Sequence, residues 1–445
     1  MSQLGLRGRL YTLIDDPFLQ AESDCVVQHE DGLIIIRDDK IEAVGDYASL
    51  RGRLSPDAEL RQYPDALLLP GFIDAHIHYA QVEIIGSFGT QLLEWLQKYT
   101  FPAEAKFSDP AHARRIADFF VAELLRHGTT SVSAFCTTAP GSVDAIFAAA
   151  QRVNMQILAG KMMMDRHAPA NLLDTAQASY DESKALIERW HGRGRCLYTV
   201  TPRFALTSSR EQLELAGALL RETSDLRLQS HISENRAEVA RAKELFPERA
   251  SYTDIYDHYG LLGARAIYGH GIHLGEGELR RFHETGAKIA HCPTSNFFIG
   301  SGLFDMARVR DAARPVTVGL GTDVGGGTSF SMLQTMSAAY QMAQLRGTSL
   351  TTAQCYYLAT LGSAESLGLA GEVGSLQAGC AADVIALDPQ ATPLLRLRAD
   401  VADSLDELLF ALLICADDRA VAATYVAGRL VYERDEPTLI SPKTT

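Results

Sequence analysis

LLLPGFIDAHIHYAQ, residues 67–81, is the stretch on which the reading of this chain turns. Its apolar run is broken by Pro70 and Gly71 and then delivers two histidines, His76 and His78, two positions apart. Side chains on a strand alternate faces, so both imidazoles leave the strand end on one side and can close on a single metal ion. Asp74 has the same parity one step deeper, either as a group braced behind the ligands or as a buried structural carboxylate. Alone, His-x-His is a short pattern that unrelated surface or core histidines also produce.

Three stretches downstream have the same form. LRLQSHISE closes its apolar residues with His231 and then Glu234, AIYGHGIH ends on His270, and VTVGLGTDVGGG ends on Asp323. Short apolar runs closed by a polar residue and glycines are how the carboxyl ends of buried parallel strands read, and barrel enzymes draw their site from several such ends. Helical segments alternate with them. Asp109-Pro110 is an N-cap with proline at the first helical position, opening AHARRIADFFVAELLRH, which Gly128 closes before the strand-like TTSVSAFC. Ser208 and Ser209 precede REQLELAGALLRE, and ENRAEVARAKELF follows His231 as a charged helix. Strand-then-helix units over most of the chain predict an α/β fold, a (β/α)8 TIM-type barrel.

The two ends read differently. Residues 1–66 hold β-rich pieces such as RGRLYTLI and GLIIIRDDKIEAVGD, and after Gly374 the chain returns to that style with ADVIALD and AVAATYVAGRLVYERD. The expected division is therefore 1–66 and 375–445 as the two parts of a small β-sandwich, with 67–374 as the barrel. No internal repeat or low-complexity tract interrupts this plan.

Composition narrows the function class. The 445 residues suffice for one large barrel with a smaller unit attached. Runs such as LLLPGFI fall far short of the roughly 20 apolar residues that span a bilayer, and the N-terminus lacks a secretory pattern, so no membrane partner is expected. Seven cysteines, an odd number without any C-x-x-C pair, predict reduced thiols in a cytoplasmic protein and argue against a cysteine-built zinc site. A formal charge of −14 disfavours a nucleic-acid partner.

PGFIDAHIH, His231, His270, the GTD holding Asp323 and the closing GSLQAGCAADVIALD together resemble the amidohydrolase superfamily, metal-dependent hydrolases on a distorted (β/α)8 barrel flanked by a β-sandwich from both termini. Cys380 departs from the pattern, since members often carry lysine in that loop. The longer strings HIHYAQVEIIGSFGTQLLEWLQKYTFPAE, TPRFALT and HISE are similar to the guanine-deaminating branch. That resemblance implies hydrolytic deamination of guanine to xanthine and ammonia in a homodimer. Its alternative is the same chemistry on another purine-like, pterin, triazine or cyclic amide ring.

The residue types support such chemistry independently. His76, His78, His231 and Asp323 offer three neutral imidazoles and a carboxylate, a donor set suited to one Zn²⁺ per chain or another divalent ion such as Fe²⁺. A catalytic zinc lowers the pKa of bound water from about 15.7 toward roughly 7. By resemblance, His270 hydrogen-bonds that water, Glu234 carries protons to the ring nitrogen and Asp323 takes the proton of the attacking water. Substrate contact is expected from Gln81, Arg203, Phe204, His231 and Glu234. Arginine only donates, so Arg203 suits the carbonyl oxygen of guanine and would face a donor if adenine entered. Plainer readings stand beside these: Arg203 as a surface ion pair, Phe204 as core, and Glu234 as a carboxylate favoured at a helix start. The glycines after Asp323 lack a following Gly-Lys-Ser/Thr and so read as close packing. A non-enzymatic scaffold on this barrel would have lost its ligands, whereas here every ligand type is present.

Overall fold

In a computed structural model of the protein, residues 3–89 and 91–436 are described. Four strands open the chain: β1 (Gln3–Leu13), β2 (Val26–Arg37), β3 (Lys40–Asp46) and β4 (Glu59–Pro70). After Gly71 the chain enters β5 (Phe72–His78), followed by β6 (Thr129–Phe135), β7 (Gln156–Gly160), β8 (Met162–Met163), β9 (Cys196–Pro202) and β10 (Arg227–Ile232). β11 (Ala266–His270), β12 (Lys288–His291) and β13 (Val318–Leu320) complete the middle of the chain, and β14 (Val384–Leu387), β15 (Val421–Val426) and β16 (Arg429–Glu433) end it.

The middle strands form the (β/α)8 barrel. β5, β6, β7, β9, β10, β11, β12 and β13 lie side by side in parallel register, with the short β8 paired to β9. Main-chain bonds close the ring just beyond β13, from Asp323 N–H to the His76 carbonyl at 2.9 Å and from His78 N–H to the Val324 carbonyl at 3.0 Å. Asp74 reinforces the seam. Its carboxylate is fully buried and accepts from the N–H groups of Thr322 and His76, each at 3.1 Å, and from the Thr322 hydroxyl. It therefore braces the histidine-bearing strand against the strand end that carries Asp323.

The outer helices follow their caps. Asp109 accepts from Ala111 N–H at 2.9 Å to start helix Pro110–Arg126, and Ser209 accepts from Gln212 N–H at 3.1 Å to start Arg210–Glu222. Ala113, Ile116, Phe120 and Leu124 recur at helical spacing and turn one buried stripe to the barrel. Beyond Asn235, helix Arg236–Leu245 begins with a reciprocal capping box to Glu238.

The terminal strands make one seven-stranded sheet in the order β16-β15-β14-β4-β1-β2-β3, antiparallel except where β1 runs parallel to β4. The register slips between Gly8 opposite Tyr63 and Arg9 opposite Leu67, across Pro64, which has no N–H to donate. Leu6, Ile34 and Ile36 from one end share a buried cluster with Val384, Ala386 and Tyr425 from the other, as the two faces of a sandwich do.

One segment had no reading from sequence period, and another departs from the strands expected there. The segment after Gly86 is helical from Leu92 to Ser108 in short pieces, including a π-helical turn at Leu96–Thr100, because Leu92, Trp95, Leu96 and Phe101 need a buried face. Between β14 and β15, where only strands were expected, helices Pro393–Asp400 and Leu405–Cys415 intervene. The second is apolar on nearly every side and hides its helical period, yet it buries Leu405, Leu408, Leu409 and Leu412. No helix among the described residues is long and apolar enough to cross a membrane.

Candidate active site

The strand ends converge as their spacing required. His76 and His78 leave β5, His231 is the penultimate residue of β10, His270 ends β11, and Asp323 follows β13. All five side chains are buried. His78 Nε2 lies 3.1 Å from His231 Nε2, and Asp323 Oδ1 lies 3.5 Å from His76 Nε2 and 3.4 Å from His78 Nε2. Ligand atoms on a tetrahedral ion with bonds of about 2.0–2.2 Å stand roughly 3.4 Å apart, so the donors have the spacing of one coordination shell.

Their protonation fits as well. A carbonyl can only accept, so the 2.7 Å contact between His231 Nδ1 and the Arg203 carbonyl puts the proton on Nδ1 and leaves Nε2 as a lone-pair donor facing His78. His76 Nε2 is buried without a hydrogen-bond partner, an arrangement that costs free energy unless something else fills it. Burial holds His76 below the ordinary imidazole range, and burial together with neighbouring positive charge pushes His78 and His231 well below it, all toward the neutral ligand form. Burial raises Asp323, but the 3.5 Å contact with His76 and the charges of His270, His76 and His231 outweigh it and hold the carboxyl at about 2. The residues thus fit a divalent ion. Cys292 approaches His76, His270 and Asp323 too, but burial drives its thiol well above the ordinary range and keeps it a protonated, poor donor.

Backbone geometry contributes to this convergence. His270 and Asp323 both adopt left-handed conformations, φ 72° and 52°, as does Ser233 at 50°. Such strain in non-glycine residues is held only where surroundings over-determine it, and it gathers at functional sites. At Gly269 a Cβ would lie 2.5 Å from His76 Cε1, so glycine there makes room for the His76 ring. The glycine run after Asp323 is close packing, since a Cβ at Gly327 would fall 1.8 Å from the Thr322 carbonyl oxygen.

Beside the histidine–aspartate cluster opens a cavity. His78, Gln81, Arg203, Phe204, His231, Glu234, His270 and Asp323 all reach its lining, with His76 directly behind. Glu234 Oε2 stands 3.4 Å from His270 Nε2, and Glu234 Oε1 accepts from the Ser301 hydroxyl at 3.2 Å. Burial lifts the Glu234 carboxyl to about 7 against the pull of His270. Burial lowers His270, but Glu234 and Asp323 more than offset it, leaving the imidazole raised. His270 Nδ1–H donates to Asn296 Oδ1 at 3.0 Å, which turns Nε2 toward the two carboxylates.

One residue of the cavity region escaped the sequence reading. Glu104, 1% exposed, accepts from Arg203 Nη1 at 3.0 and 2.7 Å and from Gln81 Nε2 at 3.1 Å. It was contained in the FPAE string but carries no spacing signature; only the need of a buried arginine for a carboxylate could have found it. Trp95, Leu96 and Ile299 supply apolar surface to the same cavity. Phe135 seats the cluster from within the barrel, its ring centroid 4.6–4.7 Å from those of His76, His78 and His231.

Residues 67–431 match the family model described as "Amidohydrolase family". A protein of Escherichia coli (strain K12) named guanine deaminase is 48% identical over 406 residues, which cover 91% of this chain and 92% of that protein. The solved structure of E. coli guanine deaminase superposes with a TM-score of 0.94 at 45% identity, covering 97% of this chain and 100% of that one. A guanine deaminase from C. acetobutylicum, solved with guanine bound in its active site, gives a TM-score of 0.87 at 27% identity, with 97% and 100% covered. Barrel, strand-end cluster and these matches agree: the chain belongs to the amidohydrolase family.

Proposed function

We propose that this protein hydrolytically deaminates guanine to xanthine and ammonia, using one divalent ion, Zn²⁺ by preference of its donor set, held by His76, His78, His231 and Asp323. One observation carries the reading. A single cavity joins a histidine–aspartate cluster to a carboxyl poised near neutrality and to an arginine whose charge is already balanced by Glu104. A site so balanced suits a small, neutral, polar ring, and relatives that match along nearly the whole chain are named for guanine.

When bound, the ion supplies hydroxide at neutral pH by lowering the pKa of water from about 15.7 toward roughly 7. Asp323, which lines the cavity and is held ionised, would accept the proton of the water that attacks the ring carbon bearing the exocyclic amine. Glu234, whose carboxyl burial pushes up to about 7, is suited to carry a proton and deliver it to the adjacent ring nitrogen, removing aromatic resistance to addition. The C–N bond then breaks and the amine leaves as ammonia, protonated by Glu234 or Asp323. His270 is fixed by Asn296 and lies 3.4 Å from Glu234 and 3.8 Å from Asp323, where its charge holds both carboxylates in position. Arg203 donates to the ring carbonyl, which favours guanine over adenine, Gln81 reads the neighbouring edge, and Phe204 with Trp95 walls the ring.

We further infer that residues 67–374 are the catalytic unit between terminal parts 1–66 and 375–445, and that the protein acts as a cytoplasmic homodimer in purine breakdown. The unpaired state of all seven cysteines, six of them buried, supports a reducing compartment. The experiment is direct: guanine, adenine, cytosine and 8-oxoguanine are each incubated with purified protein and ammonia is measured. Guanine is expected to react fastest. Ammonia from another ring but none from guanine would overturn the assignment.

A further inference from the structure

Glu104 belongs to none of the groups that hold an ion or move a proton, yet it is the point on which both expected ring readers converge. Gln81 comes from the turn after β5, Arg203 from the residue after β9, and Glu104 from the short helix Phe101–Ala105. Gln81 Nε2 and Arg203 Nη1 approach the same oxygen, Oε1, at 3.1 and 3.0 Å, and Arg203 Nη1 also meets Oε2 at 2.7 Å. All three side chains are at most 4% exposed, and the Arg203 guanidinium lies 5.4 Å over the Phe101 ring.

The chemistry of a carboxylate fixes what is left over. An ionised carboxylate accepts and never donates, so the Gln81 amide must present its NH₂ to Glu104 and turn its carbonyl oxygen elsewhere. Arg203 commits Nη1 to Glu104 and keeps other N–H donors of its planar fork. Gln81 Oε1 is not among the buried polar atoms left without a partner, nor are the remaining Arg203 nitrogens, and both residues line the cavity. The pair therefore offers an acceptor and a donor side by side.

We infer that Glu104 is a positioning residue for specificity: by orienting Gln81 as acceptor and Arg203 as donor, it sets the pair to read the N–H and C=O of a lactam edge in the ring. This rests on the proposed guanine reaction and adds the edge that is recognised. Guanine presents the lactam pattern. Adenine presents the reverse, an acceptor nitrogen beside an amine donor, and 2-aminopurine keeps the reactive amine on the same carbon but has neither lactam group. A reader set by a carboxylate cannot invert to match them, because inversion would turn the Gln81 oxygen onto Glu104.

The test compares wild type with Glu104→Gln on guanine and on 2-aminopurine, the latter followed as a substrate or, if not turned over, as a competitive inhibitor of guanine turnover. Glu104→Gln lets the new amide turn either way and removes the charge that holds Arg203. The expected result is a loss of roughly tenfold to hundredfold in kcat/KM for guanine, mostly in KM, with the constant for 2-aminopurine changed by less than about threefold and metal content unchanged. If that variant does not accumulate folded, Glu104→Asp, which keeps the charge but withdraws it by one methylene, is expected to shift guanine against 2-aminopurine in the same direction. Equal losses on both ligands, or guanine kcat/KM within threefold of wild type, would overturn the inference and leave the functional proposal standing. Wild-type protein that releases no ammonia from guanine would overturn both.

Discussion

The wall of the cavity that carries His78, His231, His270 and Asp323, with His76 behind them, grows directly from strand ends, while the wall that carries Gln81 and Trp95, with Glu104 behind Gln81, is made of short helices and turns between β5 and Pro110. The first is held by the barrel ladder, by the Asp74 brace and by backbone forced into left-handed conformations at His270 and Asp323. The second is held by one buried ion pair and its hydrogen bonds. A reaction common to many ring substrates requires the same donors in the same places, which a barrel rim supplies. Selecting one ring requires surface that can vary while the rim stays, which helical insertions supply. Position is therefore fixed by the hydrogen-bonded strand frame on one wall and by paired charge on the other.

That contrast can be broken by substitution. Glu234→Gln keeps the volume and the proposed ligand set but removes the proposed proton carrier from the strand-built wall. Turnover is expected to fall by roughly 10² to 10⁴-fold with metal content unchanged, and near-normal kcat would remove Glu234 from its role. Gly269→Ala probes whether the rim tolerates displacement. The new methyl would fall 2.5 Å from His76 Cε1, so the ligand must move, and a loss of about 10²-fold with weakened metal retention is expected. Full activity there would show that the rim is more adaptable than the strained backbone implies.

The smallest effect sharpens the comparison from outside the cavity. His291 ends β12, stacks on Phe304 at 4.4 Å between centroids, and has a buried Nδ1 without a partner. Burial, with a minor contribution from the charge of His270, lowers its pKa from 6.5 to about 3. The folded pKa is depressed, so its contribution to stability is complete above the unfolded value and is lost as pH falls from about 6.5 toward 3. His291→Gln is expected to flatten the acid slope of unfolding free energy by up to one proton while kcat/KM stays within about threefold. An unchanged slope in acid denaturation would show that this histidine protonates without unfolding cost.

The rim was largely legible in the amino-acid order. Residue parity aims His76 and His78 together, and apolar runs ending on His231, His270 and Asp323 announce strand ends, because period and burial leave marks in a single sequence. The other wall was not. Nothing in FPAE distinguishes an inward Glu104 from a solvated one, since a short helix of mixed pieces has no period to read, and the π-helical turn at Leu96–Thr100 breaks what period there is. Gln81, Arg203 and Phe204 were reached through a resemblance in longer strings rather than through any spacing. The left-handed backbone at His270 and Asp323 was equally invisible, because tertiary contacts impose it against local preference. Helix Leu405–Cys415 was passed over for the opposite reason, an apolar density so even that it conceals its own geometry.

The central claim is that three imidazoles and a carboxylate from three strand ends share one catalytic ion. Measuring metal stoichiometry and guanine turnover on the same preparation, before and after chelation and after zinc is restored, tests it most directly. The account predicts about one ion per chain, loss of at least roughly a thousandfold in turnover when it is removed, and recovery when it is returned. Metal-free protein that turns guanine over at the full rate would contradict it.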